Sequence, residues 1–361
     1  MSLAPPWLSV LIPAHNASAW IGQTLASIAE QLDERAEIWV LDDGSTDATS
    51  AVIDRHAGTH GHTGNSHPNI APSQPGSASS APIHRLHHPQ PRGVSAARNR
   101  LLEAARGQWL WFIDADDRIR PGAVQRIEAV VQGRPDLDVV LLDHAILRER
   151  PRLKHRLRGE GHRRSALGAG GLILGSDAIL QRTLPRAQWH PWGRVVRHSA
   201  WSPDLRFPEG RVFEDLAVVP RLMARCSTAW HLAEPVVEYR SSPGSILGSI
   251  DASKLTQWHL ALLDLIRSRE EAVGAAQPHT RKAWDDHLAA QAVRLVRVAR
   301  RRGVDAQQVR QWQSEWLWAW PALREIIAGW RWEPGRWAMA WAAAAQNWPA
   351  AQTTGDRHDS R

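Results

Sequence analysis

The sequence predicts an α/β fold, with a mostly parallel sheet flanked by helices and a helical C-terminal region after it. Three observations support this prediction. Short apolar runs alternate with amphipathic stretches through residues 8–55, which is the order of strands and helices in a parallel sheet. A further apolar run, 109–113, ends in a cluster of acids. From Lys254 onward, apolar residues recur at helical spacing instead.

The first strands and helices follow from the periodicity of the apolar residues. Residues 8–12 form a strand-like run that ends at Pro13, and residues 20–31 place apolar side chains on one helical face. That face consists of Ile21, Leu25, Ile28 and Leu32. A second strand, 36–41, precedes a second helix, which reaches Arg55. Short connections of this kind imply parallel strands joined by right-handed crossovers.

Residues 56–92 interrupt this pattern. Gly, Ser, Pro, Asn and His dominate the segment, and only Ile83 to Leu86 resembles a strand. A long segment of this composition cannot bury enough apolar surface to order itself, so we expect a low-complexity, disordered insertion at the surface. Its histidines have no spacing that imposes a metal geometry. They are His56, His60, His62, His67, His84, His87 and His88.

An arginine lies in the first turns of the next helix. The run Gly93–Asn99 opens this helix, which extends to about Ala105. Arg98 is close to the helix N-terminus, where the helix dipole does not favour a cation. We therefore expect it to have an anionic partner, either the acidic loop after residues 109–113 or a substrate phosphate.

Three acids, Asp114, Asp116 and Asp117, directly follow the next strand. That strand, 109–113, has no polar member, so we expect it to be buried on both faces. Ligands of open α/β sheets collect at the carboxyl ends of strands, and carboxylates one residue apart suit Mg²⁺ or Mn²⁺. Such a cation would serve an anionic substrate, for example a diphosphate. A polar turn without a ligand is the alternative.

The composition is that of a globular protein, and the net charge indicates which kind of ligand the chain suits. Of its 361 residues, 43% are hydrophobic and 22% charged, and the net charge of +7 suits anionic ligands. A single cysteine, Cys226, excludes an internal disulfide framework. We see no signal peptide and no apolar run of membrane-spanning length, so we expect a cytoplasmic protein. No motif for reading nucleic acid is present, and we expect no nucleic-acid partner.

Residues 251–351 form the helical C-terminal region, which is rich in tryptophan and arginine. Two interpretations remain open. The tryptophans either pack internally or form an interfacial surface, since tryptophan suits the headgroup level and arginine clusters attract anionic lipid. The second interpretation would hold the protein peripherally at the inner face of the cell membrane. The regularly spaced tryptophans are Trp312, Trp316, Trp320, Trp337, Trp341 and Trp348. We expect the polar tail, 352–361, to be disordered.

Four motifs occur in order within the first third of the chain. They are Val10–Asn16, Val40–Asp47, Gly93–Asn99 and Phe112–Asp117. Together they resemble the motifs of the family 2 glycosyltransferases, whose GT-A fold has a Rossmann-like nucleotide-binding half. The resemblance continues more weakly through 191–197 and 206–215 and reaches 239–246, which implies a catalytic domain over residues 1–250.

This resemblance implies a site for a nucleotide-sugar donor. Asp43 would bind the uracil edge and Asp114 the ribose. Asp116, in the D-x-D motif, would hold a divalent cation, Mn²⁺ or Mg²⁺, that bridges the phosphates, with Asp117 as an outer-shell or structural partner. The other donor-binding residues would be Pro13, His15, Asn16 and Arg98.

The resemblance also implies that Asp215 is the base that deprotonates the acceptor, with Glu214 beside it. A single base opposite the leaving group implies one displacement, and hence inversion at the anomeric carbon. Acids in a first helical turn can also merely complement the dipole. Trp192 and Arg194 lie where relatives often carry Lys, and an arginine fork differs from a point charge, so contact of Arg194 with the diphosphate stays open.

The sequence therefore predicts an inverting, metal-dependent glycosyltransferase for surface polysaccharide or lipopolysaccharide synthesis. It would move a single sugar from a nucleotide diphosphate donor, with a UDP-sugar favoured, to a glycan or lipid-linked acceptor, because no Gln-x-x-Arg-Trp motif of processive members is seen. One alternative is a non-catalytic scaffold or membrane-peripheral protein that keeps the fold. Another is a nucleotidyltransferase, which would carry a Gly-x-Gly loop where this chain has Pro13–Asn16.

Overall fold

Two compact units make up the chain, Met1–Gly248 and Ser249–Arg361, where the sequence predicted a division at residue 250. The computed structural model of the protein describes residues 4–60, 80–148, 150, 152–241 and 250–330 within these units. Several sequence predictions fall outside the described residues. They concern Pro243 to Ile246, Trp337, Trp341, Trp348 and the tail 352–361.

The described residues of the first unit contain a nine-stranded sheet. Its strands are β1 (Leu8–Ala14), β2 (Ala36–Asp43), β3 (Ile83–His88), β4 (Trp109–Phe112), β5 (Arg118–Ile119), β6 (Val139–Leu147), β7 (Gly171–Leu174), β8 (Arg194–Arg197) and β9 (Thr228–Arg240). Their order across the sheet is β3-β2-β1-β4-β8-β6-β9-β5, and β7 also pairs with β9.

The directions of the strands bring several strand ends to one edge of the sheet. β1 is parallel to β2 and β4, and β2 is parallel to β3. β8 is antiparallel to both β4 and β6, so β6 runs in the direction of β4 again, and β9 is parallel to β6. The predicted mostly parallel α/β sheet is confirmed. The loops after β1, β2, β4, β6 and β9 leave the same edge, where ligands of such sheets bind.

Helices flank this sheet, and α1 buries its apolar face in the core. They are α1 (Ile21–Ala29), α2 (Thr49–His60), α3 (Val94–Ala104), α4 (Ala123–Gly133), α5 (Leu153–Leu157), α6 (Ser176–Thr183) and α7 (Glu214–Arg225). In α1, the predicted face Ile21, Leu25 and Ile28 is fully buried in the core. Complete burial of such side chains contributes about 1.5–3 kcal/mol each.

The predicted disordered insertion, 56–92, is wrong at both of its ends. Helix α2 extends to His60, and β3 forms a strand parallel to β2. The strand-like run Ile83 to Leu86 was noted, but its order was not expected, because its stability comes from pairing with β2, which local sequence does not show. Residues 61–79, including His62 and His67, lie outside the described residues.

The described part of the second unit is helical. It contains α8 (Ala252–Arg267), α9 (Arg269–Val273), α10 (Pro278–Arg301), α11 (Ala306–Ala319) and α12 (Leu323–Gly329). Asp251 caps α8 by accepting the amide of Lys254, and Asp305 caps α11 by accepting two amides, which stabilises each helix by about 1 kcal/mol. The predicted helical C-terminal region is therefore confirmed. None of the described helices is long and apolar enough to cross a membrane.

The burial of the described tryptophans in this unit tests whether they pack internally, which was one of the two interpretations of the sequence. Trp312, Trp316 and Trp320 are buried, as are Trp258, Trp284 and Trp330. Trp318, in contrast, is 79% exposed. Among the described residues, the regularly spaced tryptophans thus pack inside the unit, and an interfacial surface built from them is wrong for Trp312, Trp316 and Trp320.

Candidate active site

The acidic turn after β4 lies at the edge of the sheet where the strand ends gather. The amide of Asp117 donates to the carbonyl of Asp114 over 3.0 Å and closes the turn. Asp114 and Asp116 are partly exposed, whereas Asp117 is fully buried. The two carboxylates predicted for ribose and cation therefore face the accessible side, and the third faces the interior.

Asp116 has the properties expected of a cation ligand. Burial, together with the nearby charge of Asp114, raises the pKa of Asp116 to about 6. Its own backbone amide and the charge of Arg240 act against this rise. Among the described residues, no arginine, lysine or histidine forms a salt bridge with the Asp116 carboxylate. A divalent cation at Asp116 would relieve this repulsion, and Mg²⁺ commonly binds one or two carboxylates with substrate phosphates as its other ligands. The residues present therefore fit a cation that arrives with a diphosphate.

Asp117 and Arg240 hold the acidic turn in place. Asp117 Oδ1 accepts the backbone amide of Arg240 over 2.7 Å, and the Arg240 side chain donates Nε–H to the carbonyl of Asp116 over 2.8 Å. The guanidinium lies 3.9 Å above the ring of Trp20, a cation–π contact. Burial, followed by the charges of Asp114 and Asp116, raises the pKa of Asp117. Asp117 therefore fixes the conformation of the turn from its buried side.

Arg98 joins the acidic turn to helix α7. Its guanidinium donates to Asp114 Oδ1 over 3.0 Å and to Glu214 Oε1, and the side chain is 5% exposed. Burial opposes its charge, but Glu214, Asp114 and Asp215 outweigh burial and raise the pKa of Arg98. Of the two anionic partners that the sequence left open, the structure shows the acidic loop, with Glu214 as a second partner.

Glu214 and Asp215 begin α7, but they occupy different environments. Glu214 is 7% exposed and pairs with Arg98; burial raises its pKa, although Arg98 acts against this. The Asp215 side chain is 21% exposed, and its Oδ2 lies 3.7 Å from Nδ1 of His190. Its Oδ1 accepts the amide of Leu216 over 2.8 Å. Asp215 is thus the accessible acid of the pair.

An aromatic stack of His190, Trp192 and Tyr239 stands beside Asp215. The rings of His190 and Trp192 are 5.0 Å apart and inclined by 4°, and Tyr239 lies 5.7 Å from His190 and 5.5 Å from Trp192. Burial, followed by the charges of the nearby acids, raises the pKa of Tyr239 to about 12. The stack is therefore close to both Asp215 and the acidic turn.

Arg194 does not reach this accessible side. Its guanidinium donates to the carbonyls of Gln188, Trp189 and His190 over 2.6–3.2 Å, and the residue is 2% exposed. Burial lowers the pKa of Arg194 to about 10. The sequence left contact of Arg194 with the diphosphate open, and the structure shows a positioning role instead: Arg194 holds the backbone from which the His190 ring projects.

The loops after β1 and β2 are tied together at the predicted nucleoside pocket. His15 Nδ1 lies 2.8 Å from the carbonyl of Asp43, and Asn16 Oδ1 accepts the amide of Thr46 over 2.9 Å. Pro13 is buried at the end of β1, whereas His15 and Asn16 are exposed. The structure thus brings these predicted residues to one surface.

Asp43 has more protein partners than the sequence suggested. Its Oδ1 accepts the amide of Arg92 over 2.9 Å and lies 2.7 Å from His88 Nδ1, while Oδ2 accepts the amide of Gly93 over 2.7 Å. A carboxylate offers about four acceptor positions, so one remains for a further donor. Asp43 therefore also fastens the chain before α3 to the end of β2.

Backbone strain marks the same region. Among the described residues, three non-glycine residues have positive φ: Asn16 at 48°, Ala187 at 49° and Phe213 at 62°. They lie in the β1 loop, just before the Gln188–His190 carbonyls, and directly before α7. Residues held in such conformations cluster at functional sites. Sequence reasoning could not find this strain, because backbone angles of these residue types follow from tertiary contacts.

Sequence reasoning also missed His190 and Arg240 as site residues and gave Tyr239 no role. His190 precedes the Pro191-Trp192 pair, and Tyr239 is the only tyrosine of the chain; these are the signals that could have drawn attention to them. Their proximity to Asp215 and the acidic turn depends on β9 returning beside β6, a long-range pairing that spacing alone does not reveal.

Together, the sheet topology and the acids at its carboxyl edge are typical of a GT-A-type fold. Residues 9–179 match the family model of glycosyl transferase family 2. This segment, just under half of the chain, is thus similar to that family, in agreement with the resemblance seen in its motifs.

Curated relatives match the same N-terminal part. An uncharacterized protein of Mycobacterium tuberculosis is 34% identical over 125 residues, and an uncharacterized glycosyltransferase, YibD, of Escherichia coli is 30% identical over 132 residues. These matches cover 34% and 37% of this chain, and the chain spans about a third of the length of each relative, 32% in both cases. Glycosyltransferase GlyG of Streptococcus pneumoniae is 21% identical over 249 residues, 66% of this chain and 72% of GlyG.

A solved structure supports the fold over a greater length. Residues 1–349 of TarS from S. aureus, crystallised with UDP-GlcNAc, superpose with a TM-score of 0.66 at 17% sequence identity. The match covers 94% of this chain and 88% of that structure. At this identity the likeness shows a shared fold.

Proposed function

We propose that the protein is an inverting, divalent-cation-dependent glycosyltransferase that transfers a single sugar to an acceptor hydroxyl. One observation carries the proposal. At the edge where the strand ends gather, Arg98 bonds both Asp114 of the acidic turn and Glu214 of α7, and so sets the candidate donor-side carboxylates and the candidate base Asp215 around one site. The similarity of residues 9–179 to glycosyl transferase family 2 supports the reaction class.

The donor we propose is a UDP-sugar. TarS, which shares the fold, was crystallised with UDP-GlcNAc and with UDP. Asp43 keeps one acceptor position for a pyrimidine N–H, and Asp114 is partly exposed for ribose hydroxyls. His15 and Asn16 stand exposed beside them. These residues would bind and orient the nucleoside, while Pro13 closes the end of β1 behind it.

Asp116 would hold the cation, with Asp114 as its neighbour. A bound Mn²⁺ or Mg²⁺ supplies Lewis-acid stabilisation of charge on the departing diphosphate. Arg240 and Asp117 fix the backbone of the turn, so Asp116 keeps its position before the ligand arrives. Preorganisation of this kind lowers the reorganisation needed during the reaction.

Asp215 would remove the proton from the acceptor hydroxyl. It is accessible, and among the described residues no arginine or lysine forms a salt bridge with it, whereas Glu214 is committed to Arg98. One base and one displacement give inversion at the anomeric carbon. The aromatic stack offers ring faces beside this base, which suits the apolar face of a sugar ring in the acceptor.

The acceptor we propose is a glycan or a lipid-linked glycan used in surface polysaccharide synthesis. Chondroitin synthase of Escherichia coli is 28% identical over 120 residues, although the chain spans 14% of its length. The protein would then work on the cytoplasmic side, peripherally at an anionic membrane.

UDP release from a panel of UDP-sugars with Mn²⁺ or Mg²⁺ tests the proposal on three variants. We expect Asp215→Asn to lower kcat by about 10²–10⁴-fold, the usual contribution of a general base, and to leave UDP binding intact. Asp116→Ala should lose the cation-dependent rate. Asp136→Asn, at an exposed acid outside the site, should behave as wild type.

Equal release by all variants would mean that the assigned base and cation ligand are wrong. Cation-dependent UDP binding by wild type without turnover on any acceptor would favour a non-catalytic protein instead.

A further inference from the structure

Segment 148–164 leaves the carboxyl end of β6 and exposes apolar side chains on α5. We name residues 148–164 the basic segment. In it, Leu153 and Leu157 are 69% and 80% exposed. Residues four apart lie on the same face of a helix, so the two leucines form one small apolar patch. Apolar patches rimmed by polar residues are a feature of interaction sites.

Cations dominate the surroundings of this patch. The basic segment contains eight Lys or Arg residues and two Glu residues. Glu160, the acid that the structure describes there, is buried and bonded to Arg148 over 2.6 Å. The exposed cations of the segment have no salt bridge to a described carboxylate. They are Arg150, Arg152, Lys154, Arg158 and Arg164.

The basic segment is held at its start by Glu160 and by Ser241, which follows β9, and at its end by β6. Arg148 donates to Glu160 and also to Ser241 Oγ over 3.0 Å. On the return path, the amide of Arg163 donates to the carbonyl of His144 over 2.7 Å, and His162 Nε2 lies 2.7 Å from Asp143 Oδ2. The segment is therefore a loop of the first unit that is attached at both ends, and α5 lies between these two anchors.

The anchor on β6 also contacts the candidate active site. The His144 ring meets Trp192 edge-on at 4.8 Å, and Trp192 stacks on His190, whose Nδ1 is 3.7 Å from Asp215. The basic segment leaves β6 at the sheet edge that carries the acidic turn. A surface bound by the segment would therefore be held near the acceptor side of the site.

We propose that the basic segment binds the anionic surface of a lipid bilayer. Cations around exposed leucines match the chemistry of an interface, where anionic headgroups attract Lys and Arg and the leucines enter the acyl boundary. A protein partner fits less well, because two leucines offer far less apolar area than the roughly 800 Å² per partner of a stable protein interface. The proposal rests on the peripheral membrane location in the proposed function and assigns that contact to one surface, and its test requires no sugar transfer.

Flotation of the full chain with vesicles tests the proposal. Wild type should float with vesicles of phosphatidylcholine and phosphatidylglycerol, and hardly with phosphatidylcholine alone. Arg152→Gln/Lys154→Gln/Arg158→Gln should lower the partition coefficient by about fivefold for each charge removed, and added salt should weaken wild-type binding because screening shortens the Debye length. Leu153→Ser/Leu157→Ser should lower it by about tenfold or more.

Leu174→Ser provides the matched control, because Leu174 is 62% exposed on β7, outside the basic segment. This variant should float as wild type does. Equal flotation on neutral and anionic vesicles, or flotation of the double leucine variant at wild-type level, overturns the proposal. A change of oligomeric state in the leucine variant with unchanged flotation would also overturn it and identify a protein interface. UDP release in detergent-free solution is measured separately, so failure of the proposed reaction and failure of membrane binding are distinguishable.

Discussion

Arg98 is the single residue on which the geometry of the candidate site depends most. Its guanidinium is shared between an acid of the turn after β4 and an acid of α7, and it lies 5.4 Å from the ring of Phe207. Removing one member of such a buried arginine–carboxylate group destabilises the protein, because the remaining members are then charges without partners and out of contact with water.

Arg98→Met tests this dependence. The change leaves Glu214 buried without its cation, so we expect the free energy of unfolding to fall by about 3–5 kcal/mol. Adding Glu214→Gln should restore part of the loss, because it removes the unpaired charge. Urea unfolding measures both variants. Arg100→Met, at an exposed pair on the same helix, should change stability by less than about 1 kcal/mol. A stable Arg98→Met variant that lost only donor binding would contradict the structural role.

His144 gives the first unit a dependence on pH. Burial, followed by the charge of His190, lowers the pKa of His144 from 6.5 to about 4. Between these values the unfolded chain binds the proton more readily than the folded one, so stability is full above pH 6.5 and decreases as pH falls toward 4. The complete shift corresponds to about 3 kcal/mol.

Thermal unfolding between pH 7 and about pH 4.5 checks this prediction for His144. His144→Phe keeps a ring against Trp192 but cannot titrate, so its Tm should fall less steeply with decreasing pH. His279→Gln, at an exposed histidine of α10, should follow wild type. Parallel curves for wild type and His144→Phe would show that another group controls the acid sensitivity.

The sequence predicted the acids of the candidate site but not the different environments in which the structure places them. Asp114, Asp116 and Asp117 belong to one short motif, and their side chains lie on different sides of the turn. Which side is accessible depends on contacts with Arg240, which is distant in sequence. Arg194 shows the same limit more clearly. Its charge is visible in the sequence, whereas its use on backbone carbonyls depends on burial, which the sequence does not state.

At the scale of elements, the loop after β2 is fixed because its backbone at Gly44 lies very close to the backbone at Pro91. Gly44 has a φ of +64°, and a Cβ there would lie 2.5 Å from the backbone nitrogen of Pro91. The neighbouring Asp43 bonds His88 at the end of β3 and the amides of Arg92 and Gly93. The β2 loop, β3 and the start of α3 therefore depend on one another.

Gly44→Ala should disrupt this arrangement. Positive φ and the backbone clash together should cost about 2 kcal/mol or more of stability, and UDP binding should weaken because Asp43 shifts with the loop. Gly58→Ala in α2 is the control, because a Cβ there meets nothing within 4 Å, and alanine favours a helix by up to about 1 kcal/mol. Chemical unfolding and UDP titration compare the two; equal stability would contradict the close approach.

The elements also show which predictions sequence supports. The strands predicted for residues 8–12 and 36–41 lie within β1 and β2, and the strand predicted for 109–113 corresponds to β4, which ends one residue earlier. Each was predicted because it is a largely apolar run of strand length. β3 was not anticipated as an ordered edge, since its residues are polar and gain order from pairing with β2. In α11, a spacing of four correctly placed Trp312 and Trp316 on one face, but spacing does not tell whether protein or lipid covers that face.

At the scale of the whole molecule, a donor should stabilise the fold only together with a cation. Ligand at 100 times its Kd adds about 2.7 kcal/mol to stability. We expect the Tm of wild type to rise with UDP and Mn²⁺, and expect Asp116→Ala to lose the cation-dependent part of this rise. Asp136→Asn should keep it. An equal rise in Asp116→Ala, measured by scanning calorimetry, would place the cation elsewhere.

The reversed strand β8 has a consequence for how such a protein can diversify. Because β8 is antiparallel to both of its neighbours, the strands β1, β2 and β4 and the strands β6 and β9 form two parallel groups that point the same way. The first group presents the candidate donor loops, and the second presents the basic segment and the aromatic stack with α7. Loops of the second group can therefore be lengthened, shortened or exchanged without rebuilding the first. The acceptor preference and the membrane attachment proposed for the second group could therefore change in evolution while the donor-binding loops of the first group stay the same.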